Sequence, residues 1–233
     1  MKEGGDSDLH ALGALTPAQL YARALDSNEV LADSAQQRVV ELLQARYVHL
    51  LQHPPQRSGT TSRWLSKLGW GGASKAGKST RGLYLWGGVG RGKTMMMDMF
   101  CSALPTQRRQ RMHFHRFMRE VHRDLAALQG VKNPLEHVAK KIARRASVLC
   151  FDEFFVSDIT DAMLLAGLLD SLFALGVCLV ATSNIDPDNL YQDGLQRQRF
   201  LPAIGLLKQH TEIFNIDGDI DYRLRALEQA QLY

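Results

Sequence analysis

The sequence predicts an α/β fold: a parallel five-stranded sheet covered by helices on both faces, preceded by an N-terminal helical segment. Three observations carry this prediction. Short apolar runs alternate with helical periodicities from Leu83 onward, the pattern of parallel strands joined by crossover helices. A glycine-rich turn, Gly87 to Thr94, separates the first apolar run from the first of these helices. A later apolar run ends in two adjacent carboxylates, Asp152 and Glu153.

The elements follow in order. Residues 1–52 form the helical segment. Thr16-Pro17 is a helix start, with the hydroxyl as cap and proline in the first turn. Asp33 starts a second helix, whose Val40, Leu43, Tyr47 and Leu50 recur on one face. Residues 53–82 change character: rich in glycine and basic residues and without an acid, they read as a loop or linker. Trp64 and Trp70 are its large anchors. The core spans 83–216. Leu83–Trp86 is a strand, Thr94–Leu104 a helix and Arg111–His115 a strand. Phe117, Val121, Leu125 and Leu128 mark a helix, and Asn133-Pro134 caps another. Val148–Phe151 is a strand, 161–175 a helix ended by Gly176, and Val177–Thr182 a strand. Two shorter helical stretches across 187–210 precede a fifth strand, Glu212–Ile216. No internal repeat is visible.

Gly87-Gly88-Val89-Gly90-Arg91-Gly92-Lys93-Thr94 fits GxxxxGK[ST], the Walker A pattern of a P-loop NTPase. Glycines let backbone N–H groups turn inward to cradle phosphate oxygens. Lys93 reaches the β- and γ-phosphates, Thr94 ligates Mg²⁺, and the following helix adds its positive end. The expression matches again at 72–79, but no apolar strand precedes that match and no helix follows it. The strand–loop–helix context selects 87–94 as the phosphate site. Asp152 lies 59 residues after Lys93 at a strand tip, as a Walker B acid that holds the Mg²⁺ shell. Glu153 beside it would orient and deprotonate the attacking water. Asn184, after the strand 177–182, would point at the γ-phosphate; the plain alternative is a turn residue before Asp186-Pro187. Arg199, ahead of Arg197, is the candidate arginine supplied to a neighbouring subunit.

Charge narrows the partners. The chain has 233 residues and a formal net charge of +4. Residues 52–145 hold 19 Lys and Arg against 4 Asp and Glu, so the remainder is acidic. A basic middle with acidic flanks suits an anionic partner: nucleotide, nucleic acid or an acidic protein. Three cysteines without a CxxC pair, two of them in apolar runs, read as buried reduced thiols of a cytoplasmic protein. The start of the chain lacks a signal pattern. The apolar stretch 162–182 contains Asp170 and Gly176. A central Asp costs a membrane helix about 2.5–3.5 kcal/mol, so no membrane insertion is expected.

Other residues have plainer readings. Met95, Met96, Met97 and Met99 are core packing. His113 and His115 share a strand face but lack a third ligand nearby, so no zinc site is expected. Arg108, Arg109, Arg111, Arg116, Arg119 and Arg123 form a solvated or subunit-facing stretch, with an anionic partner as the alternative.

Together the motifs resemble an AAA+ ATPase core. More specifically the chain resembles the ZapE family of bacterial cell-division ATPases. The resemblance runs through Gly82–Thr94, His113–Met118, Leu149–Asp161, Gly194–Ile204 and Asp221–Arg225, and covers roughly residues 15–233. It implies a cytoplasmic ATP hydrolase that forms a homo-oligomer and acts on the tubulin-like division protein FtsZ. Family members extend past the position of Tyr233, so 217–233 reads as the start of a C-terminal region that is otherwise absent. Arg223 and Arg225 would belong to it. The expected function is Mg-ATP hydrolysis coupled to remodelling of an FtsZ-type assembly. Two alternatives stay open: a nucleic-acid-dependent ATPase of the helicase-loader kind, ranked lower for want of a nucleic-acid-binding motif, and a nucleotide-binding module with little turnover.

Overall fold

The computed structural model describes residues 15–53, 80–104 and 109–218. Two helices come first. In α1 (Pro17–Asp26) Thr16 and Gln19 form a reciprocal capping box, with proline in the first turn. In α2 (Ser34–Gln52) the Asp33 carboxylate accepts the N–H groups of Ala35 and Gln36. The predicted face of α2 is buried: Val40, Leu43, Tyr47 and Leu50 all face inward.

Five strands follow: β1 (Gly82–Trp86), β2 (Arg109–His113), β3 (Val148–Asp152), β4 (Cys178–Ser183) and β5 (Thr211–Asn215). They pair in the order β2-β3-β4-β1-β5, and every pairing is parallel. The connecting helices are α3 (Lys93–Ala103), α4 (Phe114–Ala126), α5 (Pro134–Arg145), α6 (Ile159–Ala174) and α7 (Leu201–His210).

Strand alternation builds two cores from one sheet. Tyr84, Leu149, Phe151, Leu179 and Ala181 point to one face, under α4, α5, α6 and α7. Leu83, Leu85, Val148, Cys150, Cys178 and Val180 point to the other, under α1, α2 and α3. Successive side chains alternate, so a strand covered on both faces must be apolar throughout. Met96 and Met97 are fully buried in the second core, and Met95 and Met99 pack against it. Cys101, Cys150 and Cys178 are buried and free. Burial pushes the Cys178 thiol up to about 12. Buried Arg46 ties α2 to the sheet: it donates to the carbonyl of Gly82 and pairs with Glu212 on β5.

The structure corrects several boundaries. Strand β2 ends at His113, and His115 lies in α4, so the two histidines do not share a strand face. Their rings stack instead, with centroids 5.6 Å apart. Asn133 precedes α5 with φ 54° and no side-chain cap bond. Helix α6 starts at Ile159, because the Asp158 carboxylate accepts the N–H groups of Thr160 and Asp161. The first helical stretch after Asp186 is two 3₁₀ turns, Pro187–Asn189 and Arg197–Arg199. No helix among the described residues is long and apolar enough to cross a membrane. The second GxxxxGK[ST] match, Trp64, Trp70, Arg108, Arg223 and Arg225 lie outside the described residues.

Candidate active site

Register places the site. Trp86 on β1 is opposite Ser183 on β4, so Gly87 and Asn184 leave neighbouring strands at one level. Phe151 on β3 is opposite Ala181, which sets Asp152 beside Thr182. The glycine turn, Asp152, Glu153 and Asn184 therefore gather at the carboxyl end of the sheet, where parallel α/β sheets bind ligands.

The turn between β1 and α3 needs its glycines. Gly87, Gly90 and Gly92 have φ of 143°, 81° and 78°, in a region that disfavours any residue with a Cβ. At Gly87 a Cβ would also lie 2.6 Å from Ile216 Cγ2 and 2.7 Å from Asp217 Oδ2. Val89 stands at the exposed tip of the turn. Lys93 is buried, and its Nζ donates to the carbonyls of Gly87 (2.8 Å) and Gly88 (2.7 Å). Desolvation lowers the Lys93 pKa, opposed by the nearby carboxylates of Asp217 and Asp152. The ammonium is thus folded back along the inside of the turn, beside its glycines.

Asp152 is the hub. Its Oδ1 accepts from Thr94 Oγ1 at 3.1 Å and from Thr182 Oγ1 at 2.8 Å. Its Oδ2 accepts from Arg111 at 3.2 Å, and Arg111 Nε reaches Asp98 on α3 at 2.5 Å. Burial raises the Asp98 pKa, and the Arg111 guanidinium opposes that shift. Asp152 itself is nearly inaccessible. A buried carboxylate held by three donors has its orientation fixed before any ligand arrives.

Glu153 is unlike its neighbour. Its side chain is exposed, and its backbone has φ 53°, the left-handed region. Two bonds hold it there: its N–H donates to Thr182 Oγ1 (3.3 Å), and Phe154 N–H donates to the Thr182 carbonyl (2.7 Å). Strain of this kind costs about 1–3 kcal/mol and concentrates where geometry serves a purpose.

The remaining candidates are less embedded. Asn184 is exposed at the tip of β4, and its side chain has no hydrogen-bond partner among the described residues. Arg197 donates to the Asp188 carbonyl. Arg199 is exposed, and no hydrogen bond or ion pair joins it to Lys93, Thr94, Asp152 or Glu153. Among the described residues no three His, Cys, Asp or Glu side chains cluster as metal ligands. Arg109 donates to carbonyls at the end of α3, whereas Arg116, Arg119 and Arg123 line the exposed face of α4.

Five participants escape a sequence reading: Thr182, Arg111, Asp98, Asp217 and Asp33. Asp217 accepts from the Gly88 N–H and pairs with Arg91, and Asp33 pairs with Arg91 from the other side. The signal for Thr182 was its position at the tip of an apolar strand. The other four are surface-type residues whose partners lie far off in sequence.

With this geometry in view, known proteins bear on the chain. It is 51% identical over 223 residues to the cell division protein ZapE of Escherichia coli (strain K12), a match covering 94% of this chain and 59% of that protein. It is 44% identical over 161 residues to lactation elevated protein 1 homolog B of Danio rerio, covering 64% of this chain and 32% of that protein. The chain thus spans less than two thirds of the length of either relative. The crystal structure of DnaI superposes with a TM-score of 0.54 at 16% identity, covering 81% of this chain and 88% of that one. That likeness speaks for the P-loop fold alone. Residues 15–233 match the model of the AFG1-like ATPases, and the chain belongs to that family.

Proposed function

We propose that this chain binds Mg-ATP and hydrolyses its terminal phosphoanhydride. The observation that carries the reading is the network at the carboxyl ends of β1, β3 and β4. Lys93 lies inside the glycine turn, Thr94 and Thr182 hold Asp152, and Glu153 follows it in a strained backbone.

The donor set fits the metal. Thr94 Oγ1 and Asp152 Oδ1 are hard oxygens already 3.1 Å apart, and Mg²⁺ takes few protein oxygens, keeping waters and phosphates as its other ligands. Bound Mg²⁺ supplies neutralisation of phosphate charge. The backbone N–H groups of residues 87–94 cradle the phosphates, and Lys93 reaches the β- and γ-oxygens. Glu153 accepts a proton as the water oxygen bonds to the γ-phosphorus, and the bridging bond breaks with its electrons leaving on ADP. Asn184 orients that water from the neighbouring strand. Arg199 of one subunit stabilises charge in the site of the next, which makes a homo-oligomer the active form. The substrate assembly in this reading is FtsZ-type and cytoplasmic, supported by the identity to a cell division protein.

The test is turnover of Glu153→Gln. The variant binds ATP like the wild type and loses about a thousandfold in phosphate release. Normal release from the purified variant would sink the role of Glu153. A second reading, a nucleic-acid-dependent ATPase, draws on the exposed arginines of α4. Failure of a labelled single strand to bind at low salt removes it.

A further inference from the structure

Asp217 sits in an unusual place for a carboxylate. The backbone beyond β5 continues its ladder, with Ile216 N–H donating to the Trp86 carbonyl at 2.9 Å. That bond carries Asp217 to the mouth of the phosphate loop. Its Oδ2 accepts from the Gly88 N–H, and its Oδ1 lies 3.0 Å from Arg91 Nε. Its nearness to Gly87 leaves no space for a Cβ there. Asp217 also leads the charges that counter the desolvation of Lys93. An anion thus already occupies a main-chain donor and a guanidinium of a loop built to receive anions.

Arg91 extends the contact. Its other nitrogen is 3.3 Å from Asp33, the cap of α2, and its carbonyl accepts from Gln36 Nε2 at 3.2 Å. One arginine of the loop therefore joins the N-terminal helices to the chain beyond β5.

We propose that Asp217 is an internal anion that competes with nucleotide phosphates for the phosphate loop, holding the Gly88 N–H and Arg91 until a nucleotide displaces it. The proposal rests on the phosphate-site reading above and adds a regulator to it. Two negative groups a few ångströms apart repel strongly where water is partly excluded. Removing the Asp217 charge must then help nucleotides in proportion to their own charge, and Arg91, once released, adds to the gain.

The experiment measures binding of ATP, ADP and AMP with Mg²⁺ to the wild type, Asp217→Asn and Asp217→Ser. ATP should bind about fivefold tighter to both variants, ADP less so, and AMP within about twofold of the wild type. Either variant suffices if the other fails to fold. Unchanged or weaker ATP binding overturns the proposal and leaves the phosphate site standing. An equal gain for AMP and ATP overturns it too, since charge competition must scale with phosphate number. If the wild type itself binds none of the three, the phosphate-site reading fails and takes the proposal with it.

Discussion

The two halves of the candidate site are finished to different degrees. On the side of β1 and β3, the two central buried groups have partners within the chain: Lys93 has two carbonyls, and Asp152 has two hydroxyls and a guanidinium. On the side of β4 and α7, Asn184 and Arg199 are exposed, and no side-chain partner holds either among the described residues. Burial without partners is costly, so the first half must be self-sufficient to fold. The second half carries no such constraint and is open to groups from outside the chain. On the proposed function, phosphate and metal binding fall to the enclosed half and charge stabilisation across a subunit boundary to the open one.

That comparison can be broken, most sharply at Lys93. Lys93→Ala removes the buried ammonium folded along the inside of the glycine turn, and ATP binding should fall by a hundredfold or more, about 3 kcal/mol at the least. Retention of binding, seen by calorimetry, would mean that the enclosed half is not the phosphate site. Next comes Glu153→Gln, which should separate binding from turnover by about a thousandfold. The gentlest test concerns the open half. Arg199→Ala alone should lose most turnover but keep binding, and mixing it with Lys93→Ala should restore part of the lost rate. Each variant supplies what the other lacks only if the arginine acts between chains. No recovery in the mixture, at any protein concentration, sends Arg199 back to an ordinary surface role.

Legibility in the sequence followed the same division. The strand–turn–helix around Gly87–Thr94 is legible because its spacing is local, and Asp152 stands out as the acid that ends an apolar strand. The sheet was readable because β1, β3 and β4 are buried on both faces and hence continuously apolar. Strand β2 was misplaced for a physical reason. It is an edge strand with exposed arginines, and the His-Phe-His alternation beyond it imitates a strand where Phe114 begins a helix. Thr182, Arg111 and Asp217 could not be assigned from the chain alone. Their meaning comes from strand order and register, which place residues 30, 41 and 129 positions apart in contact. Asp158 displaced the expected start of α6 because Ser157-Asp158 supplies an earlier cap than the apolar pattern suggests.

The backbone of Glu153 has a consequence for how this protein can change over time. A left-handed residue next to a strand is most comfortable as glycine or asparagine, and a glutamate there gives up about 1–3 kcal/mol of folding free energy. Glu153→Gly should therefore raise the melting temperature by several degrees while abolishing turnover; a lowered melting temperature would show that the Glu153 side chain contributes more than its backbone costs. The position is one where drift toward durability and retention of chemistry pull in opposite directions. With Glu153 in its proposed role, a lineage selected only to fold would lose the acid first, and with it turnover, while keeping the proposed phosphate loop intact.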